Sequence, residues 1–327
     1  MKPYLPLLAL LLALPAHAQP LPGKGLSEHS FLYCGEYEHN ADQQTLHLIR
    51  DGREVWSHAI KFRVMRHEKP DIQELGDCTL LSNGNIIFTT RFGAAEITPD
   101  KTIVWEYFGP DHTEIHSLQP LGLDRVLLVQ NGNPAKALTI DKKTNTVVAT
   151  FIVPVGQPDN VHGQLRRVRL TAAGTYLVAH MDRNLVAEYD PAGTLMWSTE
   201  VASPWAAVRL KNGNTLISSN KGFVREITPA GAVVWDFTRE DAAALGYDLR
   251  NVQEVTRLDN GNTIVTNWVA GAIKPVDWPQ TVQVFEVTAR KQVVWALREW
   301  AAPNLGPATS IQLLDQPGLA ENGDLQR

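Results

Sequence analysis

Cysteine, clustered positive charge and long apolar runs are all scarce in this sequence. Only Cys34 and Cys78 occur among 327 residues. Their separation matches no metal-binding spacing and neither has histidines clustered beside it, so no metal site is expected. Lysine and arginine total 30 against 35 aspartates and glutamates, a formal net charge of −5. That mild acidity, with no basic run or patch, excludes nucleic acid and anionic membrane surfaces as partners. The longest apolar run, residues 5–14, is too short to span a bilayer, and nothing later approaches that length. Membrane insertion is therefore not expected.

The early apolar run belongs to a leader. Lys2 provides the positive start and Ala16-His17-Ala18 a small-x-small cleavage site, which together predict a signal peptide over residues 1–18, cleaved after Ala18. No cysteine stands immediately after that point, so a lipid-modified start is not expected. The mature chain is expected in the periplasm or secreted, as a monomer. In an oxidising compartment Cys34 and Cys78 invite a disulfide; two buried thiols packed as small apolar residues are the alternative.

What is abundant is a repeat. Residues 208–235 read as strand, Asn212-Gly213 turn, strand, short loop, strand, Pro229-Ala230-Gly231 turn, strand. Asn-Gly between aliphatic runs is a strong hairpin signal, and four short antiparallel strands in about forty residues make one propeller blade. Asn83-Gly84 and Asn260-Gly261 open similar copies, and Pro191-Ala192-Gly193 marks another; the copy over 118–152 has lost both the Asn-Gly turn and the tryptophan. Three strands precede the first full copy, at 31–36, 45–49 and 54–60, and a lone strand, 309–314, follows the last. One and three make four. The sequence predicts an all-β, six-bladed propeller of four-stranded blades, closed by pairing one C-terminal with three N-terminal strands, which removes open edges. Its parts are an entry segment at 19–27, the propeller at 28–316 and a polar tail at 317–327. Trp56, Trp105, Trp197, Trp235 and Trp295 each close a Val-Trp or Met-Trp step in a last strand. Their place in the repeat assigns them to packing between blades.

The stretches NGNIIFTTRFGAAEITPDKTIVW, NGNTLISSNKGFVREITPAGAVVW and DNGNTIVTNW resemble the repeats of the PQQ-like and arylsulfotransferase-like propeller families. The resemblance covers nearly the whole mature chain and rests on turn and packing residues, so it implies a fold more than an activity. The arylsulfotransferase side of it implies a histidine that accepts a sulfuryl group and passes it to a phenol. His116, His162, His180 and Arg91 are the candidates for that chemistry. The chain departs from the long bacterial arylsulfotransferases in length, in lacking a paired-histidine motif, and in having few basic residues on the relevant face. A quinone-dependent dehydrogenase would need adjacent cysteines and a calcium site, so no cofactor is expected.

Propeller topology places the loops entering the first strands and those between second and third strands on one face. That face collects Asp71, Gln73, Glu74, His112, Glu114, His116, Asn160, His162, Asn251, Gln253 and Glu254, with Arg91, Asn131, His180, Asn220, Asn267 and Trp268. The Asn-Gly turns lie opposite. Polar groups on loops of a rigid scaffold suit ligand binding. Gln73, Glu74, Asn131, Trp205, Asn220, Gln253, Asn267 and Trp268 are the expected ligand contacts, and 268–280 reads either as a lid or stacking platform or as a loop that buries its own tryptophan. The function expected is an exported binding module with a polar, histidine-containing site for a small molecule or a protein. Sulfuryl transfer and an envelope assembly scaffold are the alternatives.

Overall fold

The computed structural model describes residues 21–35, 42–66 and 68–327; the leader at 1–18 lies outside them. Six four-stranded antiparallel sheets form the ring. The first blade runs outward from Ala308–Leu313 through Phe31–Gly35 and Gln43–Arg50 to Arg53–Lys61, so the two ends of the chain share one sheet. Phe31 faces Leu313 and Cys34 faces Ser310 in that closure. The other five blades begin at the axis with Leu75–Leu80, Glu114–Leu121, Leu165–Leu170, Pro204–Arg209 and Val255–Arg257.

Burial falls from the axis outward. Ala308–Leu313 is buried throughout, whereas the outer strand Thr146–Val153 is largely exposed and Val233–Thr238 is mostly exposed or half-buried. Adjacent blades share apolar clusters, such as Leu127, Val129 and Phe151 with Val168, Tyr176 and Val178. Four of the repeat tryptophans also donate an indole hydrogen bond away from their own sheet: Trp56 to the Pro99 carbonyl, Trp105 to Asn145 Oδ1, Trp197 to the Pro229 carbonyl and Trp295 to the Gly25 carbonyl. The Asn-Gly turns are tied down as well. Asn212 and Asn214 both donate to Glu226, which also pairs with Arg257 of the next blade.

Two elements have no counterpart in the repeat reading. A hairpin, Arg63–Arg66 with Lys69–Ile72, links the first and second blades, and a short helix, Arg239–Ala244, follows the fifth, capped reciprocally by Thr238 and Asp241. The segment 317–327 folds back across the Asn-Gly face. Glu321 accepts from the Ser82 amide, Gln326 from the Lys211 amide, and Arg327 enters the channel. Among the described residues no helix is long and apolar enough to cross a membrane.

Candidate functional site

Five of the six innermost strands share one irregularity, Val255–Arg257 being the exception. Their pairing register slips at Leu75/Cys78, Ile115/Leu118, Leu165/Val168 and Pro204/Ala206, and beside Thr309 in the closing blade. Bulges of this kind re-aim side chains. Here the first bulge residues, Gly76, His116, Arg166 and Trp205, line one cavity of about 220 Å3 at the channel mouth, together with Glu74, Arg91, His162, Gln253 and Trp268. The next residues of two bulges, Asp77 and Arg167, form an ion pair below it. Four blades thus deliver equivalent positions to one point. Gly76 must lack a side chain, because a Cβ there would lie 2.4 Å from the His116 carbonyl oxygen.

Glu114 organises the polar wall. Its Oε2 accepts from His116 Nε2 at 2.9 Å and His162 Nδ1 at 2.8 Å, while Oε1 takes Arg91 Nε at 2.8 Å and Nη2 at 2.5 Å. Burial works to raise the Glu114 carboxyl, but the bonds from His116 and His162 overcome it and hold it well below the usual carboxylate range. Burial, reinforced by the nearby Arg166 charge, pushes His116 down to about 3. That imidazole is therefore neutral at physiological pH. With Nε2–H given to Glu114, its Nδ1 carries the lone pair.

Arg166 is different from the other cations. Its Nη1 donates to the His162 and Leu165 carbonyls, and its guanidinium lies 4.8 Å from the Trp205 ring centroid. It is 3% exposed, yet among the described residues no carboxylate comes within ion-pair distance of it. Burial pushes it down to about 10, with Glu114 and Glu74 only partly offsetting the loss of water. It remains a cation at neutral pH, held at the cavity wall with no carboxylate at ion-pair distance among the described residues.

Glu114, His116 and His162 also bring potential metal-ligating atoms within 4.8 Å of one another. Hydrogen bonds already join these atoms, and the guanidiniums of Arg91 and Arg166 stand alongside. Glu114 is engaged by both imidazoles and neutralises Arg91, which leaves Arg166 as the cavity-wall cation with no carboxylate at ion-pair distance among the described residues.

Seven residues expected at the site from sequence do converge on the cavity: Glu74, Arg91, His116, His162, Trp205, Gln253 and Trp268. Others are placed elsewhere. His180 is buried inside its blade against the Tyr189 hydroxyl, and burial followed by the Arg183 charge pushes it down to about 3. Asn131 donates to the Val161 and Leu165 carbonyls, so it clamps the loop that carries His162 and Arg166. Asn267 clamps a corresponding loop through the Arg250 amide and the Asp248 and Val282 carbonyls. Gln73 donates to the Lys61 carbonyl and lines a separate surface hollow with Phe92 and Phe108. Asn220 is not among the cavity residues; its amide donates to the Ser203 carbonyl. Trp278 is buried within its own loop against Trp300, leaving Trp268 as the cavity-facing tryptophan of that insertion. Cys34 and Cys78 are buried free thiols. Arg166 escaped the sequence reading, although it occupies the repeat position of His116 and Trp205; aligning the blades on their bulges would have exposed it.

No protein-family model matches the chain, and no curated protein matches it by sequence. Solved structures do resemble it. A protein of unknown function from Bacteroides caccae superposes with a TM-score of 0.71 at 22% identity, over 86% of this chain and 97% of that one. A streptogramin B lyase gives 0.52 at 15% identity, over 84% and 86%. A virginiamycin B lyase from Staphylococcus aureus with quinupristin gives 0.52 at 12%, over 85% and 88%. At these identities the likeness establishes the propeller fold alone.

Proposed function

We propose that the chain is an exported binding module whose ligand enters the channel mouth and presents an anionic group to Arg166. The observation that carries this reading is the buried guanidinium at a cavity wall with no carboxylate partner. Leaving a charge unpaired at such a site is costly, and an incoming anion relieves that cost. Trp205 and Trp268 supply apolar walls for a planar portion, and the unprotonated Nδ1 of His116 supplies an acceptor for a hydroxyl or amine. Export follows from the leader read at 1–18. Titrating the intrinsic tryptophan fluorescence with benzoate, phenyl phosphate and neutral phenol tests the reading. Anions should bind at least about tenfold tighter than phenol, and Arg166→Met should erase the difference, a loss of about 1.4 kcal/mol or more. Equal binding of neutral and anionic probes, or anion binding that survives Arg166→Met, rules it out.

A second reading, sulfuryl transfer, draws on one specific arrangement: two imidazoles held by one carboxylate beside a guanidinium with no carboxylate at ion-pair distance among the described residues. In that chemistry a histidine nitrogen bonds to sulfur as the aryl S–O bond breaks. The donor leaves as a phenolate; the acceptor phenol's oxygen then attacks sulfur, its proton passes to that phenolate through solvent, and the imidazole is released. Incubation with a chromogenic aryl sulfate and a phenol tests it; no turnover, or turnover unchanged by His162→Ala and His116→Ala, eliminates it.

A further inference from the structure

The chain's only two cysteines come from different blades and meet. Cys34 lies in Phe31–Gly35 of the closing blade and Cys78 in Leu75–Leu80 of the second, both fully buried in one apolar cluster with Leu32, Leu46 and Phe88. Both side chains pack into that single cluster from the inner strands of adjacent blades. Neighbouring contacts hold both strands in place. Ser310, paired with Cys34, donates its hydroxyl to Asp77 at 3.1 Å, and the Cys78 carbonyl accepts from Arg327 at 3.0 Å. The pair therefore sits at the seam between the blade built from both chain ends and its neighbour, beside the buried charges of the channel.

We propose that Cys34 and Cys78 form a redox-controlled disulfide that staples the closing blade to the second blade. No other thiol competes for either partner. The bond would close a loop of about 45 residues, long enough to restrict the unfolded chain appreciably. It would do so where the ring depends on noncovalent pairing of its two ends. Oxidation requires a disulfide co-reactant such as glutathione disulfide or a dithiol oxidase. One cysteine thiolate attacks the co-reactant's S–S bond to give a mixed disulfide. The second attacks that intermediate, so two protons and two electrons leave the cysteines and the co-reactant departs as two thiols. In the folded ring burial, and then the neighbouring Cys34 side chain, push the Cys78 thiol well up. The folded, reduced protein is accordingly inert to exchange, and the bond forms while the blades dock.

The test refolds the full chain from denaturant with either reduced glutathione or a reduced/oxidised glutathione mixture, then counts thiols by alkylation under denaturing conditions and measures thermal unfolding. The expected oxidised product is monomeric, lacks both alkylatable thiols, is two hydrogens lighter, and melts about 5–10 °C above the reduced form. Reductant added during unfolding abolishes the difference, and Cys34→Ala/Cys78→Ala shows none. Glutathione adducts in place of the internal bond, two free thiols after oxidative refolding, or an oxidised form that melts no higher than the reduced one would each overturn the proposal. Anion binding at Arg166 is not read in this experiment, so the two ideas stand or fall separately.

Discussion

Arg327 offers the sharpest test of how the ring is held together. It lies in the channel with Nε 2.8 Å from Glu254 Oε1 and Nη2 3.4 Å from Asp77 Oδ1, and it also donates to the Cys78 carbonyl and the Ser310 hydroxyl at 3.0 Å each. Asp77 and Glu254 are each 1% exposed. Arg167 bridges them at 3.3 and 3.2 Å, and Arg169 reaches Asp77 at 3.6 Å. Arg327→Met removes the nearer of the two cations on Glu254 and leaves two buried carboxylates sharing fewer cations. Breaking a buried pair on one side costs about 3–5 kcal/mol. For a chain of this size that corresponds to a fall in melting temperature of roughly 6–15 °C. The pH dependence has a definite sign. Burial works to raise both acids, but for Asp77 the Arg167, Arg169 and Arg327 charges, and for Glu254 the Arg327 and Arg167 charges, overcome it and hold them below their ordinary values of 3.8 and 4.5. Their stabilisation is therefore present above those values and lost as pH falls through the lowered ones. In Arg327→Met the acids are held down less, so protonation starts at higher pH and relieves the unpaired charge. The deficit against wild type should shrink between pH 7 and pH 4. Calorimetry at both pH values, with Arg327→Met/Glu254→Gln as a partial rescue, measures it. A melting temperature within 2 °C of wild type, or a deficit equal at both pH values, would refute the account of the channel as a mutually dependent charge cluster.

Three further outcomes follow from the same contacts. Gly76→Ala should destabilise by about 1–3 kcal/mol in urea unfolding and weaken ligand binding, because its methyl group would meet the His116 carbonyl. Glu114→Gln removes the negative charge between Arg91 and the two imidazoles; binding of phenyl phosphate should tighten severalfold, and a weaker binding constant by calorimetry would contradict the electrostatic reading. Trp56→Phe deletes an indole hydrogen bond to the Pro99 carbonyl while retaining an aromatic ring, and should cost about 1 kcal/mol in stability with anion affinity unchanged.

The repeat itself was written in local chemistry. Asn212-Gly213, Pro229-Ala230-Gly231 and the recurring tryptophans specify turns and strand ends within a few residues, so blade number and ring closure could be read from spacing alone. Loop position in the repeat likewise told which face would carry His116, His162, Gln253 and Trp268. The rest depended on contacts between residues far apart in the chain. Bulges direct Arg166 into the cavity and Arg167 into the channel, although the two are adjacent in sequence. His180 and His162 are the same residue type on the same nominal face. One is sealed against Tyr189 and the other meets Glu114, a difference made by neighbours that local patterning does not encode. Arg327, read as the end of a polar tail, becomes a buried ion-pair partner only because six inner strands leave a charged channel for it to fill. Short-range conformational preference set the architecture; desolvation and charge pairing across blades, which exist only in the closed ring, decided which side chains remain free to act.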